Sequence, residues 1–315
     1  MGDLPAFRVE RQVRPFIHVG LDFFGPFMVS VGRRKEKRYG AIFTCMAVRA
    51  VHLEVAESLS TDTAINVIRR FVARRGCPKQ LFSDNATNFR GACKELKIAL
   101  RELDTLELQK VLVNKGIDWH FVPPGSPHMG GSWERLVRSV KVSLEATLKE
   151  RAPRGDVLHT LFTEAEFVVN SRPLTFVSLD PKDKESLTPN HFLIGPENSC
   201  GPPGVFEDAD LRLRKQWRFT QRLADHFWCR WVKEYLPDLT RKTKWFRAVT
   251  PLKVGDVVVV ADNTAPRNTW PKGILVRTFP GKNGQVRVVD VMIEEVVFRR
   301  PAIKICKLDI CDDEK

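Results

Sequence analysis

The chain has no CxxC pair, no long apolar run, no internal repeat and no excess of acidic residues. Each absence removes a class of protein. Seven cysteines, at 45, 77, 93, 200, 229, 306 and 311, are odd in number and irregular in spacing. They predict reduced thiols in a nuclear or cytosolic protein, not a disulfide framework or a structural zinc site. Cys306 and Cys311 have no matching His or Cys pair to complete a metal site. No stretch approaches the ~20 apolar residues of a membrane helix, so no membrane partner is expected. The opening MGDLPAFRVE lacks an apolar signal core, and Ala6 stands where a myristoylation signal wants Ser or Thr.

What is present is positive charge and enough apolar residues for a core. The 315 residues are 43% hydrophobic and 9% aromatic, and the net charge is +13. That size allows two domains, and such a charge predicts an anionic partner. Between 212 and 247, eleven Lys/Arg face three Asp/Glu, a net of +8, and Trp217, Trp228, Trp231 and Trp245 interleave with them. The second cluster, RRKEKR at 33–38, reads as a solvated hairpin tip.

Residues 17–56 hold three short runs rich in β-branched and aromatic residues, an antiparallel meander with a tight turn near Arg49. Ser60 or Thr61 can cap a helix that Gly76 and Pro78 end. A strand over 80–83 leads to Asp84. Helices are expected at 89–103, 105–115, 132–150 and 156–170, and a strand at 117–122. PPGSPHMGG at 123–131 reads as a loop. A basic amphipathic helix spans 213–236, ended by Pro237. Four β runs after 252, with a hairpin signal at 282–284, suggest a small barrel. The fold class is α/β, with boundaries at 1–14 (linker), 15–175 (core), 176–250 (linker and basic helix) and 251–310 (β domain).

Three carboxylates stand out. Asp22 interrupts an apolar strand, where an unpaired charge is expensive. Asp84 ends another strand, and Glu134 opens the helix behind the Gly-rich loop. Converging, they would bind hard divalent cations, which suit in-line displacement at phosphorus. Glu134, Arg138, Lys141 and Glu145 form one helical stripe. That stripe fits either a phosphate-gripping face or an exposed face laced by Glu134–Arg138 and Lys141–Glu145 ion pairs.

The segments GLDFFGPF (20–27), FSDNATNFRGA (82–92), GGSWERLVRSVK (130–141), NSRPLT (170–175), LTPNHFLIG (187–195), LADHFWCRWVKEYLP (223–237) and RKTKW (241–245), with MGDLPAFRV (1–9), are similar to the integrases of Pao/BEL-type LTR retrotransposons. That family lies in the retroviral integrase superfamily. The resemblance implies an RNase H-like core with a mixed five-stranded sheet, a helical linker and an SH3-like, DNA-binding barrel. It puts Asp22, Asp84 and Glu134 on the D, D and E positions, as catalytic residues and ligands of two Mg²⁺ or Mn²⁺ ions. It implies processing of element 3′ ends, joining to target DNA, a homo-oligomer when active, and a nuclear location after passage through the cytoplasm. Asn85 then positions DNA or serves as a turn residue. Arg138 and Lys141 grip the element end, Gly130 and Gly131 hinge the loop, and Arg218, Arg222, Arg230, Lys242 and Lys244 contact DNA. The 49 residues between Asp84 and Glu134 exceed the gap of retroviral relatives, and the family's leading His/Cys module is absent. The chain is therefore expected to be a fragment or a domesticated remnant. An RNase H-like nuclease without strand transfer and a non-catalytic DNA-binding scaffold are the rival readings.

Overall fold

The computed structural model describes residues 14–84, 116–122, 133–149, 152–176, 186–195, 201–212, 215–239, 252–260, 266–281, 286–293 and 295–307. The helices expected at 89–103 and 105–115 and the loop at 123–131 lie outside these residues.

Strands β1 (His18–Val31), β2 (Arg34–Cys45) and β3 (Val51–Ala56) form the meander. Arg49, at φ 56°, supplies the tight turn before β3. Helix α1 (Thr61–Arg75) is capped by Ser60, whose hydroxyl accepts from the Thr63 amide. Strands β4 (Gln80–Asp84) and β5 (Asp118–Val122) follow, and the sheet runs β3-β2-β1-β4-β5. β2 is antiparallel to β1 and β3, whereas β4 is parallel to both β1 and β5. This is the mixed five-stranded sheet that the resemblance implies.

Strand alternation divides the core between two faces. Val19, Leu21, Phe23 and Phe43 lie under α1, where the Phe43 ring stacks on Phe71 at 4.2 Å. Phe24, Ile42, Leu53 and Phe82 face the helices α2 (Trp133–Leu148) and α3 (Gly155–Asn170). Asn170 and Glu166 of α3 reach β3 directly. The Asn170 amide exchanges two 2.8 Å hydrogen bonds with the backbone of Val51, and Glu166 accepts from the Leu53 amide.

Three expectations change. Residues 34–38 are not a tip but the outer half of β2, paired with 27–31 of β1 around a turn at Gly32 and Arg33. Val31 and Arg34 pair directly, so two residues suffice for the turn and the charged ones extend the ladder. Helix α5 (Gln216–Leu239) runs two residues past Pro237. A proline in the last turn removes only one amide donor and need not stop the helix at once.

The third change is larger. α5 is part of the core, not of a linker. Between Asn170 and α5 lie the short β6 (Thr175–Phe176) and β7 (Ser186–Leu187), α4 (Pro189–Leu193) and a 3₁₀ turn over Asp208–Arg212. α5 then buries Leu223, Phe227, Trp228 and Trp231 in the same cluster as Leu144, Leu161 and Phe162. The boundary expected at 175/176 therefore crosses a continuous core. Aromatic residues among cations fit a buried helix face as well as a base-stacking one, and here Trp228 and Trp231 are buried.

The C-terminal unit is an antiparallel sheet in the order β11-β10-β9-β8-β12. Its strands are β8 (Val257–Val260), β9 (Lys272–Pro280), β10 (Val286–Ile293), β11 (Val296–Pro301) and β12 (Ile305–Lys307). β9 and β10 form the expected hairpin, and β11 is a fifth strand that the sequence reading missed. Trp270 meets Trp228 of α5 edge-on at 4.9 Å, which docks this sheet against the core.

Candidate functional site

The site begins with Gly40 on β2, directly opposite Phe24 on β1. A Cβ at position 40 would come within 2.4 Å of the Phe24 ring, so glycine lets that ring lie flat across the strand. The Lys141 ammonium sits 5.7 Å from the centre of the same ring. From there it pairs with Asp22 Oδ2. Asp22 and Phe24 share a face of β1, two residues apart. Lys141 follows Val140, which α2 buries fully against the sheet. The apolar stripe of α2 thus brings an ammonium to an acidic strand position.

Lys141 thus supplies Asp22 with a counter-charge from another element. The side chains of both residues are largely buried, 16% exposed for Asp22 and 18% for Lys141. A carboxylate withdrawn that far from water needs a counter-charge. Spacing along one helix cannot reveal a partner on a strand 119 residues away. The second oxygen of Asp22, Oδ1, is buried and accepts no hydrogen bond among the described residues.

Asp84 ends β4, the strand next to β1 in the sheet. β4 pairs in parallel with β1 from His18↔Gln80 to Leu21↔Ser83. The ladder ends one residue before Asp22 on β1 and one residue before Asp84 on β4. Glu134 is the second residue of α2 and lies two turns before Lys141. The side chains of Asp84 and Glu134 lie outside the described residues. Among the described residues, no group of three or more His, Cys, Asp or Glu forms a metal-binding cluster. Asn85, Gly130, Gly131, Lys242 and Lys244 also lie outside.

Arg138 is exposed on α2. The arginines of α5 are engaged within the fold. Arg218 makes 2.6 and 3.0 Å hydrogen bonds to both oxygens of Asp210 and packs against Phe206 and Trp217. Arg222 holds Asp208 and the Phe206 carbonyl, and Arg230 pairs with Glu234 at 2.7 Å. These contacts revise the reading of 212–247 as a free basic surface. Asp208 and Asp210 lie just upstream of that window, so its +8 omits two acids that pair with Arg222 and Arg218.

A family model described as "Family of unknown function (DUF5641)" matches residues 215–308. The match runs from the start of α5 to just beyond β12 and so joins the helix to the second sheet. A comparison with curated proteins finds none that matches. Among solved structures, the chain is similar to the simian T-cell lymphotropic virus intasome in complex with PP2A regulatory subunit B56 gamma. That similarity has 12% identity and a TM-score of 0.37, over 99% of this chain and 85% of that one. It is similar to the catalytic core domain of BIV integrase at 14% identity and TM-score 0.37, over 56% and 93%. It is also similar to the HTLV-2 integrase catalytic core domain in complex with magnesium, at 14% and 0.36, over 58% and 99%. The fold itself rests on the strand order and register given above.

Proposed function

We propose that the chain is a metal-dependent polynucleotidyl transferase of the integrase type, from the Pao/BEL branch, acting on double-stranded DNA in the nucleus as a homo-oligomer. The observation that carries this reading is Asp22. An apolar strand spends an interior position on a carboxylate, one residue beyond the ladder that pairs β1 with β4 up to Leu21 and Ser83, and leaves Oδ1 buried without a hydrogen-bond donor among the described residues. An oxygen so placed fits a hard cation. Asp22, Asp84 and Glu134 are the residues that would hold two Mg²⁺ or Mn²⁺ ions. Such ions supply Lewis-acid stabilisation for the attacking and leaving oxygens of phosphoryl transfer. Arg138 and Lys141, on the helix that carries Glu134, would orient the phosphates of an element end. Gly130 and Gly131 would give the preceding loop the freedom to close.

A second reading is favoured by one contact. Lys141 already gives Asp22 a cation, which suits a DNA-binding protein that performs no chemistry. Disintegration, the resolution of a preformed branched DNA, separates the two because it demands least of the assembly. With Mg²⁺ or Mn²⁺, the wild-type chain is expected to resolve the branch. Asp84→Asn, which keeps shape and removes charge, should lose that activity and keep its DNA affinity. Wild-type chain that binds the branch and never resolves it would establish the scaffold reading. Hydrolysis without joining in a strand-transfer assay would establish a nuclease.

A further inference from the structure

The cluster RRKEKR has no role in the site above, yet the fold gives it an unusual setting. β4 accompanies β1 only over residues 18–21, and β3 accompanies β2 only from Tyr39 inward. Beyond those points, 27–31 and 34–38 pair with each other and extend past the sheet as a two-stranded ribbon. One face of the ribbon packs on the core through Val29 and Phe27, whose ring meets Phe162 at 5.9 Å, and its backbone is held at Ser30. The Ser30 amide donates to the Pro153 carbonyl at 2.8 Å, and the Ser30 hydroxyl donates to the Ala152 carbonyl. That brace brings the backbone of Arg154, itself exposed, alongside β1.

The charge on this ribbon is mostly of one sign. Arg33, Arg34 and Lys35 are exposed, and the one acid in the cluster, Glu36, is taken by Arg38 at 2.8 Å. The facing strand offers nothing to offset them. Arg34 pairs with Val31 and Lys35 with Ser30. A surface built only for solubility interleaves both signs. Three successive cations, 33–35, that meet no acid on the facing strand suit a polyanion of regular spacing.

We infer that the β1–β2 ribbon is a DNA-backbone contact of this protein, taking the phosphates of duplex DNA through Arg33, Arg34 and Lys35. The inference rests on the polynucleotidyl transferase reading for its choice of polyanion. A two-stranded ribbon fits the ~12 Å major groove. The residues on it are cations, with none of the Asn or Gln that read adenine, so the contact positions DNA without reading sequence. Val31 lies nine positions along β1 from Asp22. At about 3.3 Å per residue the tip lies up to ~30 Å from the carboxylate. The ribbon therefore holds duplex several base pairs away from the reacting phosphate.

The test uses the full chain and a 30-base-pair duplex, with binding followed by fluorescence anisotropy across a KCl series. Each phosphate contact adds about 0.9 to the slope of log K against log salt. The triple variant Arg33→Ser/Arg34→Ser/Lys35→Ser is expected to lower the slope by about two to three. Glu36→Gln, which releases Arg38, is expected to steepen it by about one. These positions are exposed, so thermal unfolding should stay at the wild-type temperature. Slopes unchanged in both variants would overturn the inference. So would a triple variant that retains duplex binding but loses binding to polyglutamate, which would point to an acidic protein instead. Ribbon-dependent slopes in a chain with no metal-dependent activity would leave the ribbon standing and remove the transferase reading. Disintegration activity with ribbon-independent binding would do the reverse.

Discussion

Lys141 of α2 neutralises Asp22 of β1 across 119 residues of sequence, and the Phe24 ring lies beside the pair. The contact ties the helix bearing Glu134 to the strand that leads the sheet. It also means that a divalent ion approaching Asp22 meets a cation already in place.

Lys141→Met should therefore have two effects of opposite sign. Without metal, the largely buried Asp22 loses its counter-charge, at a cost of about 1–3 kcal/mol, read from the urea midpoint. With Mn²⁺ present, the same variant should recover stability by more than wild type, because an ion that binds only the folded state stabilises it by mass action. Equal Mn²⁺ responses in the two proteins would show that Lys141 does not compete for Asp22.

A second prediction concerns pH. His52 is buried between two carboxylates, with Nε2 at 3.1 Å from Glu54 and Nδ1 at 3.0 Å from Glu166. Burial pulls its pKa down, but the hydrogen bonds to Glu166 and Glu54 and the nearby Glu166 charge outweigh that and hold it above 6.5. A raised folded-state pKa gives stability that is full below about pH 6.5 and is lost as pH rises through the folded value. The same contacts hold Glu54 and Glu166 below 4.5 against the opposing effect of burial, so their contribution is lost at the acid end. Urea unfolding should show stability falling above neutrality, by no more than ~1.4 kcal/mol per pH unit for one proton. His52→Gln should flatten that limb.

The third prediction tests where the core ends. Trp231 is fully buried, stacked on Tyr235 at 4.6 Å and lying parallel to Phe227. Trp231→Ala should cost about 3–5 kcal/mol. A chain ending at residue 176 should lack cooperative thermal unfolding, whereas one ending at 239 should show it. A cooperative transition in the shorter chain would restore the boundary at 175/176.

Local features were legible in the sequence because local chemistry sets them. Ser60 caps α1, Arg49 makes the turn before β3, and Asp22 stands inside β1, each where pattern and propensity put it. The missed features depend on distant partners. The ion pair of Asp22 required knowing that α2 crosses β1. The arginines of α5 read as free because Asp208 and Asp210 come from the preceding turn. β11 went unread because its run, VVFRRP, is short, charged and ends in proline, and its pairing with β10 decides its state.

The hydrogen bonds that Asn170 and Glu166 send to β3 have a further consequence. β3 is the outer strand of its sheet, and an outer strand is a template on which another chain can polymerise. Here the Val51 amide and carbonyl and the Leu53 amide are occupied by side chains from α3. An incoming strand would have to evict a helix's side chains before it could pair. On that side the sheet is sealed against growth, so copies of this protein can gather around a common ligand without fusing there into a continuous ladder.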